Sequence, residues 1–186
     1  MNQTSERPSA LQLTAVAVLL AAVAWTAVVG WPQVQALQHG VEAMETLGRV
    51  ARGAAIYYVK PRGDEGGRMA CQFPVGTDRV TSATSCCDPA VNLAGTRDCD
   101  PRKLNWNKPI WRALDVTLDH PQPFVWVYEA SGTFGAAGYT ISAYADLDCD
   151  GVVSTFRLLG TGDANAKADD CVLHTTPELL IVQPDE

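Results

Sequence analysis

Three aspartates at alternate positions, Asp146, Asp148 and Asp150, are the residues of this sequence best suited to binding chemistry. Residues two apart in an extended chain point the same way, and a tight turn at Gly151 would bring the three carboxylates together. Their negative charge calls for a cation, and carboxylate oxygens are ligands that calcium prefers. The sequence therefore predicts a hairpin turn that holds calcium, with Val152 as the last member of the candidate metal set. A solvated polar turn without an ion is the alternative.

This acidic turn matches only the first half of an EF-hand loop. The twelfth loop position is Arg157, where an EF-hand has a bidentate acid, and no helical pattern flanks the turn. Enzymatic chemistry has no comparable signal, because the chain lacks G-x-S-x-G, H-E-x-x-H and phosphate-loop motifs. His174 could be placed in a site with Ser154 and Thr155. A lone histidine in a strand, however, is more typical of a packed or solvated residue than of a catalytic one. We therefore predict that the protein is not an enzyme.

The cysteines predict disulfides. There are six, an even number, and they follow a hydrophobic N-terminal segment, which favours an oxidising, non-cytoplasmic compartment. A structural zinc site is the alternative, but no C-x-x-C occurs and the three histidines show no ligand spacing. The cysteines are Cys71, Cys86, Cys87, Cys99, Cys149 and Cys171.

Their positions suggest a pairing. Cys149 lies in a predicted turn between strands and Cys171 in the C-terminal segment, so we expect these two to bridge. Neighbouring cysteines rarely pair with each other. Cys71 is therefore expected to pair with one of the adjacent Cys86–Cys87, and Cys99 with the other.

The N-terminal segment from Leu11 to Trp31 contains no charged residue. As a helix it would be about 31 Å long, which matches the hydrocarbon core of a bilayer. Arg7 precedes it and no Lys or Arg follows until Arg49, which favours a cytoplasmic N-terminus. We therefore predict a single transmembrane helix over 11–31. A secretory signal cleaved at Ala22-Val23-Ala24 is the alternative.

The rest of the chain predicts a helix followed by strands. From Pro32 the apolar residues recur at steps of three and four, which predicts an amphipathic helix over 32–59 that continues the anchor. An ordinary juxtamembrane helix or coiled-coil stalk would show the same pattern. The head domain, 60–186, begins with an irregular cysteine-bearing loop. Strands are predicted at 124–129, 139–145, 152–159, 172–174 and 179–182. The predicted fold class is α+β, with one long N-terminal helix packed on one antiparallel β-sheet.

Charge limits the partners. The net charge is −7, and the excess of acid lies after residue 31. Such a surface repels phosphate backbones, so nucleic-acid binding is not expected. It favours divalent cations or a basic partner.

This plan resembles that of type IV pilins and type II secretion pseudopilins. Counting back from Pro32 puts the first residue of a mature pilin at Leu11, so that Met1–Ala10 has the length of a short prepilin leader. The segments 105–114 and 144–156 are similar to those of pilin-like proteins of certain Gram-negative bacteria. In those proteins a D-L-D-x-D-G turn joins two strands.

The resemblance implies a pilin-like fold and processing between Ala10 and Leu11. It implies an inner-membrane, single-pass location with the head domain in the periplasm or at the cell surface. Its implied partners are other pilin-like subunits and an assembly platform. It also implies a structural subunit of a type IV filament or a type II secretion pseudopilus.

Two residues depart from the family. Ala10 stands where the family usually has Gly, and Ala15 where it usually has a Glu thought to pair with the next subunit's N-terminal amine. Ala15 favours a minor or tip component. The alternative is a single-pass membrane-anchored protein with an extracytoplasmic binding or adhesion domain.

Overall fold

The computed structural model describes residues 10–60, 71–167 and 170–183, without the side chains of 10–13, 15 and 27–37. Helix α1 spans Ala10–Val59. The chain divides into two compact units, one ending at Gln38 and one beginning at His39. In the first unit, the described side chains between positions 14 and 26 are all exposed. Among the described residues, no helix is long and apolar enough to cross a membrane.

The second unit contains a five-stranded antiparallel sheet whose strands lie in chain order. The predicted strands in the C-terminal half are confirmed within two residues at their starts and ends, except that 172–174 forms no strand. Strand β1 was not predicted because its sequence, GTDR, has no apolar alternation. The strands are β1 (Gly76–Arg79), β2 (Val125–Ser131), β3 (Gly138–Ala145), β4 (Ser154–Thr161) and β5 (Glu178–Val182).

Three short helical elements lie between the strands. Helix α2 spans Pro109–Ala113, and single 3₁₀ turns span Pro101–Lys103 and Phe134–Ala136. Proline opens both α2 and the first 3₁₀ turn, where its missing N–H costs no hydrogen bond. These elements belong to the long connections that surround the sheet.

The core of the second unit collects side chains from residues 39–59, the cysteine-bearing loop, α2 and the sheet. The helical segment contributes five residues spaced for one face of a helix: Ala43, Leu47, Val50, Ala54 and Tyr58. Four large aromatic side chains, Trp111, Phe124, Trp126 and Tyr128, are fully buried with them. Burying a large apolar side chain contributes about 1.5–3 kcal/mol, so this face is what holds residues 39–59 in the unit.

The predicted fold class is wrong about the N-terminal helix. We expected one long N-terminal helix, with a membrane half and an amphipathic half, packed on the sheet as in a pilin. Instead no membrane-spanning helix is found among the described residues, and the chain divides after Gln38. The physical reason is that, among the helical side chains that the structure describes, the first buried one is that of Ala43. Of the described residues just before it, Gln38 and Val41 are exposed. The antiparallel character of the sheet is confirmed.

All six cysteines form disulfides, which confirms that prediction, and the bonds indicate an oxidising, extracytoplasmic compartment. The predicted pairing is only partly correct. Cys99 pairs with Cys86, within the pairings expected. Cys149 pairs with Cys87 and not with Cys171, whose partner is Cys71.

The length of β3 explains the error. Cys71 accepts a hydrogen bond from the N–H of Phe134, which precedes β3, whereas Cys149 follows the end of that strand. The eight residues of β3 separate its two ends by about 23 Å. Disulfide-bonded residues lie within about 7 Å between Cα atoms. Cys171, bonded to Cys71, is therefore held at the opposite end of the sheet from Cys149.

Candidate metal centre

The acidic turn joins β3 to β4, as predicted. The two strands pair as far as Ala145 and Ser154, and residues 146–153 close the hairpin. Two residues in the turn have positive φ angles, Cys149 at 66° and Gly151 at 95°. Glycine adopts this conformation readily, whereas Cys149 is held there by its bond to Cys87.

The three aspartates come together as predicted. One carboxylate oxygen from each lies within 4.8 Å of the others. Asp146 is buried, while Asp148 and Asp150 are exposed. Like charges this close repel one another, and a bound cation is one way to offset that repulsion.

Backbone N–H groups orient the carboxylates. Asp146 accepts from the N–H of Asp150 at 3.1 Å and from that of Gly151 at 3.2 Å. Asp148 Oδ1 also accepts from the N–H of Asp150, at 3.1 Å. Asp150 Oδ1 accepts from the N–H of Val152 at 2.7 Å. Each carboxylate keeps lone pairs that these bonds do not use, so it can still act as a metal ligand.

Neighbouring segments hold the turn in place. The disulfide to Cys87 fixes Cys149, and Arg97 donates from Nη1 to the carbonyl oxygen of Leu147 at 2.8 Å. The side chain of Arg157 does not join the turn, because it donates to Ser142 Oγ and Tyr144 OH on the neighbouring strand. The all-oxygen donor set fits a hard cation such as calcium. Val152 adjoins the cluster through its N–H, and its backbone carbonyl is the ligand expected of that loop position.

The processing residues predicted at the N-terminus are described only in part. Ala10 is the first residue of α1 and Leu11 the second, with neither side chain described. Residues 1–9 of the predicted leader lie outside the described residues. The predicted leader therefore stays a prediction.

A second polar site, missed in the sequence, lies at the other end of the sheet. Buried Asp163 accepts from the N–H of Asn165 at 2.8 Å, and from both the N–H and the ring Nδ1 of His174 at 2.9 and 3.0 Å. These hydrogen bonds, the Asn165 N–H first, lower the pKa of Asp163 to about 2. The N–H of Asp163 also reaches Tyr58 OH at 3.3 Å. No local sequence signal could have found a contact between residues so far apart along the chain.

This second site has the geometry of a structural cluster. Tyr58 OH donates to the carbonyl oxygen of Phe134, and Thr175 Oγ1 donates to that of Thr161, so both hydroxyls are engaged. Ser154, considered with His174 in the sequence, instead donates to the carbonyl oxygen of Gln183. The described contacts therefore tie α1, β4 and the C-terminal segment together without pairing a nucleophile with the imidazole.

Comparison with known proteins identifies no relative. No protein-family model, curated protein or solved structure matches the chain. Function has to be inferred from the residues and their geometry.

Proposed function

We propose that this protein is a structural subunit of an extracytoplasmic assembly of the type IV pilin or type II secretion pseudopilin class, as a minor or tip component. The observation that carries the proposal is the exposed apolar surface of the first unit. Six large apolar side chains between Val16 and Trp25 are 53–71% exposed. They lie on opposite sides of the helix, within a segment that contains no charged residue, and a helix that is apolar all round needs lipid or other helices around it.

The proposal includes an inner-membrane, single-pass location before assembly, with the disulfide-bonded unit in the periplasm. It rests on the uncharged segment Leu11–Trp31 and on the three disulfides. In a filament, the helices of neighbouring subunits would replace lipid around this segment. Ala15 provides no carboxylate to pair with a neighbour's terminal amine, which favours sub-stoichiometric incorporation.

Intact-mass analysis of the membrane-purified chain tests the processing step. A chain that starts at Leu11 is the expected result, since prepilin processing would release Met1–Ala10. A chain that starts at Met1 would contradict assembly and favour the second candidate, a permanently anchored protein with an extracytoplasmic binding or adhesion domain, which Ala15 also suits. A chain that starts after Ala24 would contradict both.

Incorporation is tested with a pair of variants at the same position. Ala15→Glu should raise the fraction of the chain recovered in sheared filaments, because the carboxylate would gain a charged partner in an apolar setting. In Ala15→Gln the glutamine has nearly the same size as glutamate but no charge, so this variant should leave the fraction in filaments unchanged. An equal effect of both variants would refute the role assigned to position 15.

A further inference from the structure

A basic groove lies in the second unit, between α1 and the end of α2. It has a cavity volume of ≈ 760 Å³. Arg49, Arg52 and Lys60 line it from one side, and Arg112 and Asp115 from the other. Four of the chain's 14 cationic side chains thus meet one carboxylate in a protein whose net charge is −7.

Most of these cations have no acidic partner. Arg49 pairs with Glu45 at 3.4 Å on the exposed surface. Arg52, Lys60 and Arg112 form no ion pair with any residue that the structure describes. Like charges gathered in this way repel one another and lower the stability of the folded state. An anionic ligand would offset that repulsion.

The groove is built by a close backbone contact. A Cβ on Gly53 would lie 2.2 Å from the carbonyl oxygen of Leu114, so only glycine lets the two segments approach this closely. Arg52 precedes Gly53 and Arg112 precedes Leu114 by two residues. The contact therefore brings basic residues from two distant parts of the chain to the same groove.

The shape of the groove favours an extended ligand. Arg49 and Lys60 are eleven residues apart, or about 16 Å along a helix. An extended peptide covers that length with about five residues. Ile56, which is 61% exposed, lies between the cations and provides an apolar contact. A single phosphate would reach only part of this length, and a flat bilayer surface would not enter the groove.

We propose that this groove binds an extended acidic segment of a partner polypeptide. The segment's carboxylates bind Arg52, Lys60 and Arg112, and an apolar side chain packs against Ile56. The proposal requires no filament assembly and so goes beyond the function proposed above.

The test is calorimetry on the full chain in uncharged detergent at low salt. The probe is an acetylated peptide of sequence Glu-Glu-Leu-Glu-Glu-Glu, and its control has Gln in place of every Glu. We expect binding of the Glu peptide only, weakened by added salt. Arg52→Gln and Arg112→Gln should each weaken it about tenfold, as expected for loss of one charged hydrogen bond. Lys103→Gln, an equal charge change outside the groove, should leave binding unchanged.

Four results would overturn the proposal. Equal weakening by Lys103→Gln would mean non-specific attraction. Binding of inorganic phosphate, but not of the peptide, with the same dependence on Arg52 would mean a small-anion site. Retention on phosphatidylglycerol vesicles that Arg52→Gln abolishes, without peptide binding, would mean a membrane contact. Peptide binding only after Asp64→Asn and Glu65→Gln, which lie outside the described residues, would mean that the chain's own segment fills the groove. Melting curves of each variant establish that it is folded.

Discussion

The carbonyl oxygen of Leu114 occupies the position where a side chain on Gly53 would begin, with only 2.2 Å between the oxygen and a Cβ built there. The oxygen belongs to the backbone and the position of a Cβ is fixed by the backbone, so neither can move aside by rotating a side chain. The carbon of the same carbonyl would lie 3.0 Å away. Helix α1 therefore depends on glycine at this point, although glycine is a poor helix former.

Gly53→Ala should lower the free energy of unfolding by about 1–3 kcal/mol, because the clash exceeds the gain in helix propensity. Gly48→Ala is the matched control in the same helix, since its Cβ would meet only the end of Arg52 at 3.7 Å. That variant should be more stable by up to about 1 kcal/mol. Denaturant titration measures both. Stabilisation by both variants would show that the two segments are not in contact.

Removal of each disulfide should destabilise the second unit in the order of the loops that the bonds close. The Cys71–Cys171 and Cys87–Cys149 bonds close loops of 100 and 62 residues, and Cys86–Cys99 one of 13. The loop-entropy model gives about 4–5 kcal/mol for the first two and about 3 kcal/mol for the last. Paired Cys→Ala variants and their melting temperatures measure the order. The largest loss for the shortest loop would indicate that packing of the buried sulfur atoms, and not loop entropy, dominates.

Calcium should raise the melting temperature of the protein if the acidic turn binds it. At 10 mM calcium and a dissociation constant of about 0.1–1 mM, as in weak extracellular sites, the stabilisation is about 1.4–2.7 kcal/mol. That corresponds to a shift of about 3–10 °C. Asp148→Asn should remove the shift, and Glu129→Gln, an exposed acid on β2, should not. Identical melting curves with chelator and with calcium would leave the solvated polar turn as the correct reading.

Asp163 should make stability depend on acid pH. Its folded pKa of about 2 lies below the ordinary value of 3.8, because N–H groups bind its charged form. The stability that the charged Asp163 side chain contributes is therefore fully present above about pH 4 and is lost as the pH falls toward 2. Asp163→Asn should flatten the stability profile in that range. Hydrogen bonds from the Arg102 side chain and N–H hold the pKa of Asp100 at about 2 as well. Part of the dependence of stability on pH should therefore remain in Asp163→Asn.

Glu129→Gln is the control for this pH dependence, since Glu129 is exposed on β2. Its profile should follow that of the unmodified protein between pH 2 and pH 4. A steep loss of stability that persists unchanged in Asp163→Asn would assign the acid sensitivity to other carboxylates. Chemical denaturation at several pH values provides the measurement.

The sequence by itself predicted the features that depend on residues close together in the chain. Aromatic and β-branched runs, and alternation of apolar residues in β3, predicted β2 to β5, because such residues favour the extended chain of a strand. The aspartates of the acidic turn were predicted to converge because they lie within five residues of one another. Six cysteines behind a hydrophobic segment predicted disulfides and an oxidising compartment.

Only the tertiary structure decided which distant residues meet. The pairing of Cys149 with Cys87 depends on which end of β3 each loop reaches, and no spacing in the sequence encodes that. The contacts of Asp163 with Tyr58 and of Gly53 with Leu114 likewise join segments separated by long stretches of chain. The extent of the helical contact was predicted wrongly because the three-to-four period includes Val41, which is exposed, and the first buried side chain among those described in the helix is that of Ala43. Periodicity records which residues share a face, but whether that face is covered depends on the apolar surface that the rest of the fold brings to it.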